Sequence, residues 1–452
     1  MFVLPDGKNV LFTFILVSSL FLLWGVLNGM IDVMDKHFQT ELGLTKSQSA
    51  NVQFAHYLGY FLMAMPAGWL ASKLGWKGGI ISGLIVVAIG GFWFIPATHI
   101  QDQVHSGSVS ATTAFVDYLC GVCAIATGLT FLETVANPYT TVLGPSRYAA
   151  TRINLAQSCN GIGWIFGPII GAKFFYGKNA LGQSTGSETL YIPYVTVAVV
   201  VLVLAVVFYF AYVPDIRNED DYRIQESHAG LGSLWSKPHF VMAVAAQFFY
   251  VAAQSGIFSF FINYMTEEVP AIPESLRTGA LKGWFEMQKT GGWGLSDSGA
   301  ATLASIGFFC FLIGRISGAG LLKKFSAHKV LGTYAVANVV VCLLIFCKLG
   351  WLSVVCVFLS YFFMSIMFPT IFALGIFGLG DLTKKASSFI VMAIMGGALL
   401  PKLMGAIADK YGMSRGFIVP VLCFAFVAFY ALNWPKFSKV ESLHGVGDAP
   451  SH

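Results

Sequence analysis

Two acidic residues lie inside long apolar stretches of a chain in which only 11% of the residues are charged. Asp32 follows the run FLLWGVLNGMI, and Glu133 lies within TGLTFLETVANP. Placing an acidic side chain near the centre of a bilayer costs about 2.5 to 3.5 kcal/mol on insertion scales, so an acid there is a candidate functional group. A carboxyl in such a position can meet an unpaired basic partner or carry a proton. Asp32 and Glu133 are therefore candidate functional residues.

Polar and aromatic side chains accompany both acids at helical spacing. Trp24, Asn28 and Asp32 recur every fourth residue and so share one helix face, and Glu133 and Asn137 have the same spacing. Amides and carboxylates satisfy the paired donors and acceptors of sugar hydroxyls, while the C–H face of a sugar ring lies on an aromatic ring. The pattern predicts a sugar-binding site. Its candidate residues are Trp24, Asn28, Asn137, Gln157, Asn160, Gln247, Tyr250, Gln254 and Asn263.

Each amide also has a purely structural interpretation. A single Asn or Gln in a membrane helix often links two helices and contributes about 0.6 to 2 kcal/mol. That interpretation fits the two acids less well, because linking helices does not require a charge. His56 is either a proton relay or a hydrogen-bonded structural histidine. Arg152 and Arg315 lie near helix ends, where extension toward lipid headgroups or closure of a cytoplasmic gate explains them.

Composition indicates the class of protein that positions these residues. The chain is 56% hydrophobic, with a mean hydropathy of +0.71, and it divides into apolar runs of about 20 residues, the length that crosses a hydrocarbon core. We expect an all-α membrane protein with twelve transmembrane helices. The predicted spans are residues 10–33, 49–72, 79–97, 114–142, 150–176, 190–213, 238–265, 299–322, 329–347, 350–378, 386–408 and 416–434. The first span is too long to be a removable signal peptide. It also lacks the cleavage site formed by small residues.

Basic residues predict the orientation of these spans. Lysines and arginines follow spans 2, 4, 8 and 10, whereas the connection at 98–111 has none. Because cytoplasmic loops are enriched in basic residues, both termini and the loop at 214–237 are expected in the cytoplasm, with the protein in the cell inner membrane. The net charge of +5 therefore reflects membrane topology. The scattered basic residues form no stripe for nucleic acid.

An internal repeat divides the chain into two halves. Pro138 and Gly144 match Pro369 and Gly375 as P-x5-G, and the motif G-x7-G-A occurs at 163–172 and again at 397–406. We expect an N-terminal six-helix half at 1–213, a cytoplasmic linker at 214–237 and a C-terminal six-helix half at 238–452. Transporters with such repeats bind substrate at the midplane between the halves and work by alternating access.

Other function classes find little support in the sequence. The eight cysteines lie in or beside apolar spans, and the lone pair Cys120 and Cys123 lacks a second ligand pair, so we expect no disulfide framework, metal or cofactor. There is no HExxH motif and no paired metal-ligand cluster in a water-exposed loop, and the chain is not expected to be an enzyme. A sugar receptor that does not transport is the alternative from another class. A drug antiporter would have a more hydrophobic cavity.

Several motifs resemble the fucose:proton symporter family of the major facilitator superfamily. They are FLETVANPYTTVLGP at 131–145, INLAQSCNGIG at 153–163, AQFFYVAAQ at 246–254, FMSIMFPTIFALGI at 363–376 and SSFIVMAIMGGA at 387–398. The resemblance implies the major facilitator fold, proton-coupled monosaccharide symport and a monomer in the lipid bilayer. It also implies proton coupling and sugar binding by Asp32 and Glu133, and substrate contacts by Gln157 and Asn160.

Departures from the family pattern leave the sugar and the coupling ion open. Asn28 is followed by Gly29, Met30 and Ile31 where fucose transporters have further asparagines, and Met367 and Phe368 replace a glutamine and a tyrosine. The candidate substrates are L-fucose, glucose, galactose or a related hexose such as N-acetylglucosamine. Carboxylate and amide oxygens also suit Na⁺, so sodium is the alternative coupling ion. The outer loop at 266–298, with two tryptophans, is either a lid or an interfacial loop.

Overall fold

The helices of the protein follow the predicted spans closely. The computed structural model describes residues 2–4, 7–105, 107–144, 149–177, 179, 184–214, 234–273, 283–287, 292–322, 324–377, 379 and 383–438. The first eight helices are Leu11–Asp32 (α1), Met34–Leu42 (α2), Lys46–Ser49 (α3), Asn51–His105 (α4), Ala111–Val142 (α5), Ala149–Phe174 (α6), Gly186–Thr189 (α7) and Tyr191–Phe210 (α8).

The remaining elements begin after the predicted linker. The next helices are Pro238–Ser259 (α9), Phe261–Glu267 (α10), Asp297–Leu322 (α11), Ala327–Phe346 (α12), Trp351–Met364 (α13), Met367–Ile376 (α14), Thr383–Met392 (α15), Gly396–Tyr411 (α16), Met413–Gly416 (α17) and Ile418–Ser438 (α18). A 3₁₀ turn at Ala393–Met395 joins α15 to α16, and two short strands, Phe285–Met287 (β1) and Trp293–Leu295 (β2), precede α11.

The helical membrane fold predicted from composition is confirmed. Ten helices in the described part of the chain are long and apolar enough to cross a membrane. Two more helical segments, the first part of α4 and the whole of α6, coincide with predicted spans 2 and 5. The long helix α4 contains a non-helical residue, Gly75 (φ 69°, ψ −179°), which separates spans 2 and 3. A positive φ of this kind favours glycine, so this residue type permits the break.

The described residues group into two compact units. One contains residues from 1–44 and 54–223, and the other contains residues from 45–53 and 224–452. Most of the predicted linker, residues 215–233, lies outside the described residues, as do Arg147 and Lys323, which contributed to the predicted orientation. The domain boundaries at 213 and 238 stay a prediction.

In the first unit, α1 and α6 cross with their backbones in contact. A Cβ atom added at Gly25 would lie 2.1 Å from the carbonyl oxygen of Asn160, and one added at Gly163 would lie 2.3 Å from the carbonyl oxygen of Leu22. Small residues spaced in this way allow membrane helices to approach closely. The crossing fixes the register between α1, which carries Asp32, and α6, which carries Gln157.

The second unit includes the short helix α3, which precedes α4 in the chain. The Asp409 carboxylate accepts hydrogen bonds from the backbone N–H groups of Lys46 and Ser47, each at 2.9 Å. The Lys46 ammonium lies 3.1 Å from the Glu267 carboxylate, and Ser255 Oγ donates to Gln53 at 3.3 Å. Charge-assisted bonds to the first N–H groups of a helix are among the stronger contacts a carboxylate makes. These contacts explain why residues 45–53 group with the second unit.

The outer loop contains a small hairpin that the sequence did not predict. Strands β1 and β2 pair antiparallel, with Phe285 opposite Leu295 and Met287 opposite Trp293. The Ser296 N–H donates to the carbonyl oxygen of Trp284 at 2.8 Å, which ties the hairpin to the start of α11. Residues 274–282 and 288–291 of this loop lie outside the described residues. Both alternatives for this loop, a lid and an interfacial loop, therefore stay open.

Candidate functional site

The predicted polar face of α1 lies mostly in the interior of the first unit. Asn28 and Asp32 are buried, at 8% and 6% exposure, and Trp24 is partly buried. Asp32 is the last residue of α1, directly before the break at Val33 (φ −97°, ψ 0°) that separates α1 from α2. The hydroxyl of Tyr176 donates to the Val33 carbonyl oxygen. The acid therefore lies at a helix discontinuity that a tyrosine from another part of the unit stabilises.

The side chain of Tyr60 connects this face to α4 and α5. Trp24 Nε1 donates a hydrogen bond to the Tyr60 hydroxyl oxygen at 2.7 Å, and Tyr60 is buried. The Asn28 side chain lies near the same hydroxyl, and the Glu133 carboxyl is close enough to interact with it electrostatically. The indole of Trp24, the amide of Asn28 and the phenol of Tyr60 therefore form one cluster, within electrostatic range of the Glu133 carboxyl.

Tyr60 was not a candidate in the sequence analysis. Acids and amides in apolar spans were the signal used there, and tyrosine is common in membrane helices for other reasons. The sequence signal that was available is its spacing from His56, four residues earlier and so on the same face of α4. The two rings are indeed close, with centroids 5.0 Å apart.

His56 itself is buried beside this cluster. Its ring also contacts Tyr57, with centroids 5.1 Å apart, and its Nδ1 atom has no hydrogen-bond partner among the described residues. The ring packs on aromatic neighbours, and the hydrogen bond expected of a structural histidine is missing at Nδ1 among the described residues. The choice between that role and a proton relay stays open on these contacts.

One predicted pair of amides is brought together by α5 and α6. Gln157 Nε2 donates to Asn137 Oδ1 at 2.9 Å, and Asn137 lies one helical turn after Glu133. Both amides are partly buried. Each retains hydrogen-bonding groups beyond this single bond, because an amide has two donors and an acceptor with two lone pairs. The pair is suited to bind a hydroxyl group that both donates and accepts.

Asn160 makes a different type of contact. Its Nδ2 atom donates to the backbone carbonyl oxygen of Phe21 at 3.3 Å, and the residue is buried at the close crossing of α1 and α6. This bond links two helices, which is the structural alternative given for each amide. A substrate contact by Asn160 stays a prediction.

In the second unit, Gln247 and Tyr250 lie on successive turns of α9. Gln247 is fully buried, and neither of its amide atoms has a hydrogen-bond partner among the described residues. The Tyr250 hydroxyl donates to the carbonyl oxygen of Met364 at 3.0 Å, where α13 ends. Arg315 Nε approaches the next carbonyl oxygen, that of Ser365, at 3.4 Å. A buried amide without a partner is costly, so Gln247 is suited to bind a polar ligand.

The other two candidates of the second unit differ from each other. Gln254 is partly buried on α9. Asn263 lies on α10, and its Nδ2 atom donates to Glu267 Oε1 at 3.1 Å. Because Glu267 also pairs with Lys46, the Asn263 amide supports an ion pair. Its predicted role in sugar binding stays untested.

The described residues contain no group of three His, Cys, Asp or Glu side chains arranged to hold a metal ion. The side chains described at the site are acids, amides and aromatic rings, which can bind hydroxyl groups and hold a proton.

The fold and this polar, membrane-embedded site define a class of membrane transporter. A family model described as the Major Facilitator Superfamily matches residues 11–279, and the chain belongs to this superfamily. The predicted family within it is also confirmed by full-length relatives. The chain is 33% identical to the L-fucose-proton symporter of Escherichia coli K12 over 445 residues, which cover 94% of each chain. It is 30% identical to a glucose/galactose transporter of Brucella abortus over 431 residues, covering 95% of each.

Solved structures agree with this assignment. The crystal structure of the transporter FucP in the outward conformation aligns with a TM-score of 0.65 at 33% identity, covering 94% of this chain and 99% of that one. The crystal structure of a D-xylose-proton symporter aligns with a TM-score of 0.68 over 95% of this chain and 99% of that one. The second pair shares only 13% identity, so it supports the fold alone.

Proposed function

We propose that this protein is a secondary active transporter that carries a monosaccharide together with a proton by alternating access. The observation that carries the proposal is the set of polar side chains in the first unit: Trp24 bonds Tyr60, Asn28 and Asp32 are buried on the same helix face, and the bonded Asn137–Gln157 pair lies one turn from Glu133. An acid beside amides and an indole is suited to bind a proton and a sugar at adjacent positions. The names of the relatives support the substrate class, which is L-fucose, glucose, galactose or a related hexose.

The chemistry of a buried acid suggests how proton binding and sugar binding are coupled. A neutral carboxyl can donate a hydrogen bond to a sugar hydroxyl, whereas an ionised one can only accept. Protonation from the extracytoplasmic side would therefore favour sugar binding, and the loaded, neutral site would reorient across the low-dielectric core at lower cost than a charged one. Release of sugar and proton on the inside resets the carrier. Sodium is the alternative coupling ion, since carboxylate and amide oxygens also bind it.

Roles for the individual residues follow from their positions. Asp32 and Glu133 exchange the proton. In the first unit, Trp24 provides a ring face, while Asn28, Asn137, Gln157 and Asn160 supply hydrogen bonds. The candidates of the second unit are Gln247, Tyr250, Gln254 and Asn263. The unpartnered amide of Gln247 is the strongest of these candidates, because a sugar hydroxyl would satisfy groups that otherwise stay unpaired.

Location and assembly complete the proposal. The protein acts as a monomer in the cell inner membrane with both termini in the cytoplasm. The distribution of basic residues supports this orientation. Enzymatic activity forms no part of the proposed function.

Removal of the acids tests the proposal. Glu133→Gln and Asp32→Asn retain the size and polarity of the side chain but cannot exchange a proton, so each variant is expected to lose proton-driven accumulation of sugar in proteoliposomes. Asp117→Asn is the matched control, because Asp117 lies on α5 as Glu133 does, but about 24 Å away along the helix axis. Uphill uptake at the wild-type level in both acid variants would contradict the assignment.

A further inference from the structure

Basic and aromatic side chains meet at one end of the first unit. The Lys8 ammonium donates to the Tyr212 hydroxyl oxygen at 3.3 Å and lies 5.3 Å from the centroid of that ring. The Lys77 ammonium donates to the Ala211 carbonyl oxygen at 3.1 Å and lies 5.8 Å from the centroid of the Tyr209 ring. Two positive charges therefore approach the end of α8 from two other parts of the chain. The side chains of Lys8, Lys77, Tyr209 and Tyr212 form what we call the basic–aromatic site.

Hydrogen bonds of the backbone hold two residues of this site in place. Lys8 belongs to a turn before α1, in which the Leu4 N–H donates to the Lys8 carbonyl oxygen at 3.0 Å. The Thr13 hydroxyl on α1 donates to the Tyr212 carbonyl oxygen at 2.9 Å. The start of α1 is thereby joined to the segment that follows α8. The site therefore depends on the fold as well as on the long lysine side chains.

The basic–aromatic site lies where three helices begin, break or end. Helix α1 begins at Leu11, α8 ends at Phe210, and the break of α4 at Gly75 comes just before Lys77. Membrane spans end where the hydrocarbon core meets the lipid headgroups, and tyrosine is enriched at that depth. The lysines and tyrosines of the site are therefore at the level of the headgroups. In the proposed orientation, these headgroups belong to the cytoplasmic leaflet.

The positive charge of Lys77 is not neutralised within the described part of the chain. Its contacts are a carbonyl oxygen and a ring face, and none of the described carboxylates forms an ion pair with it. A ring face attracts a cation without cancelling its charge. An ammonium group has three donors, so the bond to Ala211 leaves donors for the oxygens of an anion.

An exposed apolar stripe continues from the site along α8. Four residues recur there at spacings of four, three and four: Val199, Val203, Val206 and Phe210. They share one helix face, and their exposed fractions range from 49% to 80%. The stripe gives an acyl chain an apolar surface, while the lysines give a phosphate two positive charges. A surface that is cationic at its end and apolar along its length fits a lipid better than a soluble anion.

We propose that the basic–aromatic site binds an anionic phospholipid, with the phosphate between Lys8 and Lys77 and an acyl chain along the apolar stripe of α8. The two tyrosine rings lie beside the headgroup. A bound lipid connects the turn before α1 to α4 and α8, so it stabilises the first unit. This inference goes beyond the proposed transport function and does not depend on which sugar or ion is carried.

The first test compares two lipids that differ in charge. Binding of dioleoylphosphatidylglycerol and of dioleoylphosphatidylcholine to the full-length protein in neutral detergent is measured by native mass spectrometry. Both lipids have a phosphate and the same acyl chains, but only the first has a net negative charge. A lysine near a membrane surface favours an anionic lipid about fivefold, so two lysines predict a preference of about twentyfold for phosphatidylglycerol. Equal binding of the two lipids would overturn the inference.

Variants of the two lysines locate the binding. Lys8→Gln and Lys77→Gln each remove a charge but keep a side-chain donor for the oxygen that the lysine contacts. Each is expected to bind phosphatidylglycerol about fivefold more weakly than wild type, and the double variant is expected to bind it no better than phosphatidylcholine. Lys77→Arg keeps the charge and is expected to bind as wild type does. Wild-type binding of phosphatidylglycerol by the double variant would contradict the assignment of the site.

Lys173→Gln is the matched control. Lys173 is an exposed lysine of the same unit, and its ammonium lies 5.4 Å from the centroid of the Phe174 ring. It lies near the other end of α1, because a Cβ atom added at Gly171 on the same helix would lie 2.6 Å from the Val33 side chain. Its variant is expected to bind phosphatidylglycerol as wild type does. A loss equal to that of Lys77→Gln would show attraction by any exposed lysine and would overturn the inference.

Inorganic phosphate separates a lipid site from a site for soluble anions. The melting temperature of the wild-type protein in detergent is measured with phosphatidylglycerol and with inorganic phosphate at equal concentration. A ligand that binds the folded state raises the melting temperature, so phosphatidylglycerol is expected to raise it and inorganic phosphate to leave it unchanged. An equal rise with inorganic phosphate would assign the site to a soluble anion and overturn the inference.

The single variants keep the test decisive if the double variant does not fold. Lys8 and Lys77 lie in different parts of the chain, and each variant alone predicts a measurable loss. Wild-type binding of phosphatidylglycerol by both single variants would then overturn the inference. Neither lysine is among the candidate sugar contacts, so failure of this inference leaves the proposed function unaffected.

Discussion

At the scale of single residues, two amides of the INLAQSCNGIG motif, Gln157 and Asn160, make different contacts and should have different functions. Gln157 bonds the side chain of Asn137 on α5, whereas Asn160 bonds the backbone of α1 at Phe21. A bond between two side chains can be exchanged for one to a ligand without moving a helix. A bond to the backbone at a tight helix crossing contributes to the fold itself.

Alanine substitutions should separate these two functions. Gln157→Ala is expected to weaken sugar binding about fivefold through the loss of one hydrogen bond, with little change in thermal stability. Asn160→Ala is expected to lower the midpoint of heat-induced aggregation, measured by size-exclusion chromatography, because it removes a link between α1 and α6. The same stability loss in both variants, with unchanged sugar affinity in Gln157→Ala, would contradict this division.

The acids and amides were predictable as candidates because they are rare in apolar spans, but their pairings were not. The bond between Asn137 and Gln157 depends on how α5 and α6 are aligned, and residue spacing within one helix does not specify that alignment. Tyr60 was not predicted for a related reason. Its significance lies in its bond to Trp24 on α1, and its four-residue spacing from His56 is the only signal of it in the sequence.

At the scale of elements, helix packing depends on glycines at the crossing of α1 and α6. Gly25 and Gly163 face each other there, and a Cβ atom on either would lie within 2.3 Å of a backbone oxygen. Backbone atoms cannot move aside as a flexible side chain can, so the helices would have to separate. The polar face of α1 would move with them.

Gly25→Ala and Gly163→Ala are therefore expected to destabilise the protein and to reduce transport. Overpacking of this kind typically costs about 1 to 3 kcal/mol. The measurement is the apparent melting temperature in detergent together with sugar uptake. Gly320→Ala provides the control, since Gly320 lies in the last turn of α11 and a Cβ atom there would meet nothing within 4 Å. Wild-type stability in Gly25→Ala would show that the crossing is looser than described.

The apolar spans were predictable at this scale because their length and hydropathy are properties of the sequence alone. Three details were not. The hairpin of β1 and β2 lies in the outer loop at 266–298, and its strands of three residues each are too brief to detect from a sequence pattern. The break at Gly75 depends on a backbone angle. The grouping of α3 with the second unit depends on Asp409 and Glu267, which are more than 200 residues away in the chain.

At the scale of the whole molecule, the central claim is that a sugar moves across the membrane against its gradient and that a proton gradient drives it. Family membership is established by the superfamily match and by full-length relatives, and the proposed substrate class follows the names of those relatives. Sugar and coupling ion are properties of transport, so they require a transport experiment.

The most direct measurement is uptake of labelled L-fucose, D-glucose, D-galactose and N-acetylglucosamine into proteoliposomes of the wild-type protein. A proton gradient and a sodium gradient are imposed in separate runs, and protein-free vesicles serve as the control. We predict that one or more of these sugars accumulates above its external concentration under the proton gradient and that the sodium gradient alone drives none. Accumulation driven only by sodium would contradict proton coupling, and no uptake of any sugar under either gradient would contradict sugar symport itself.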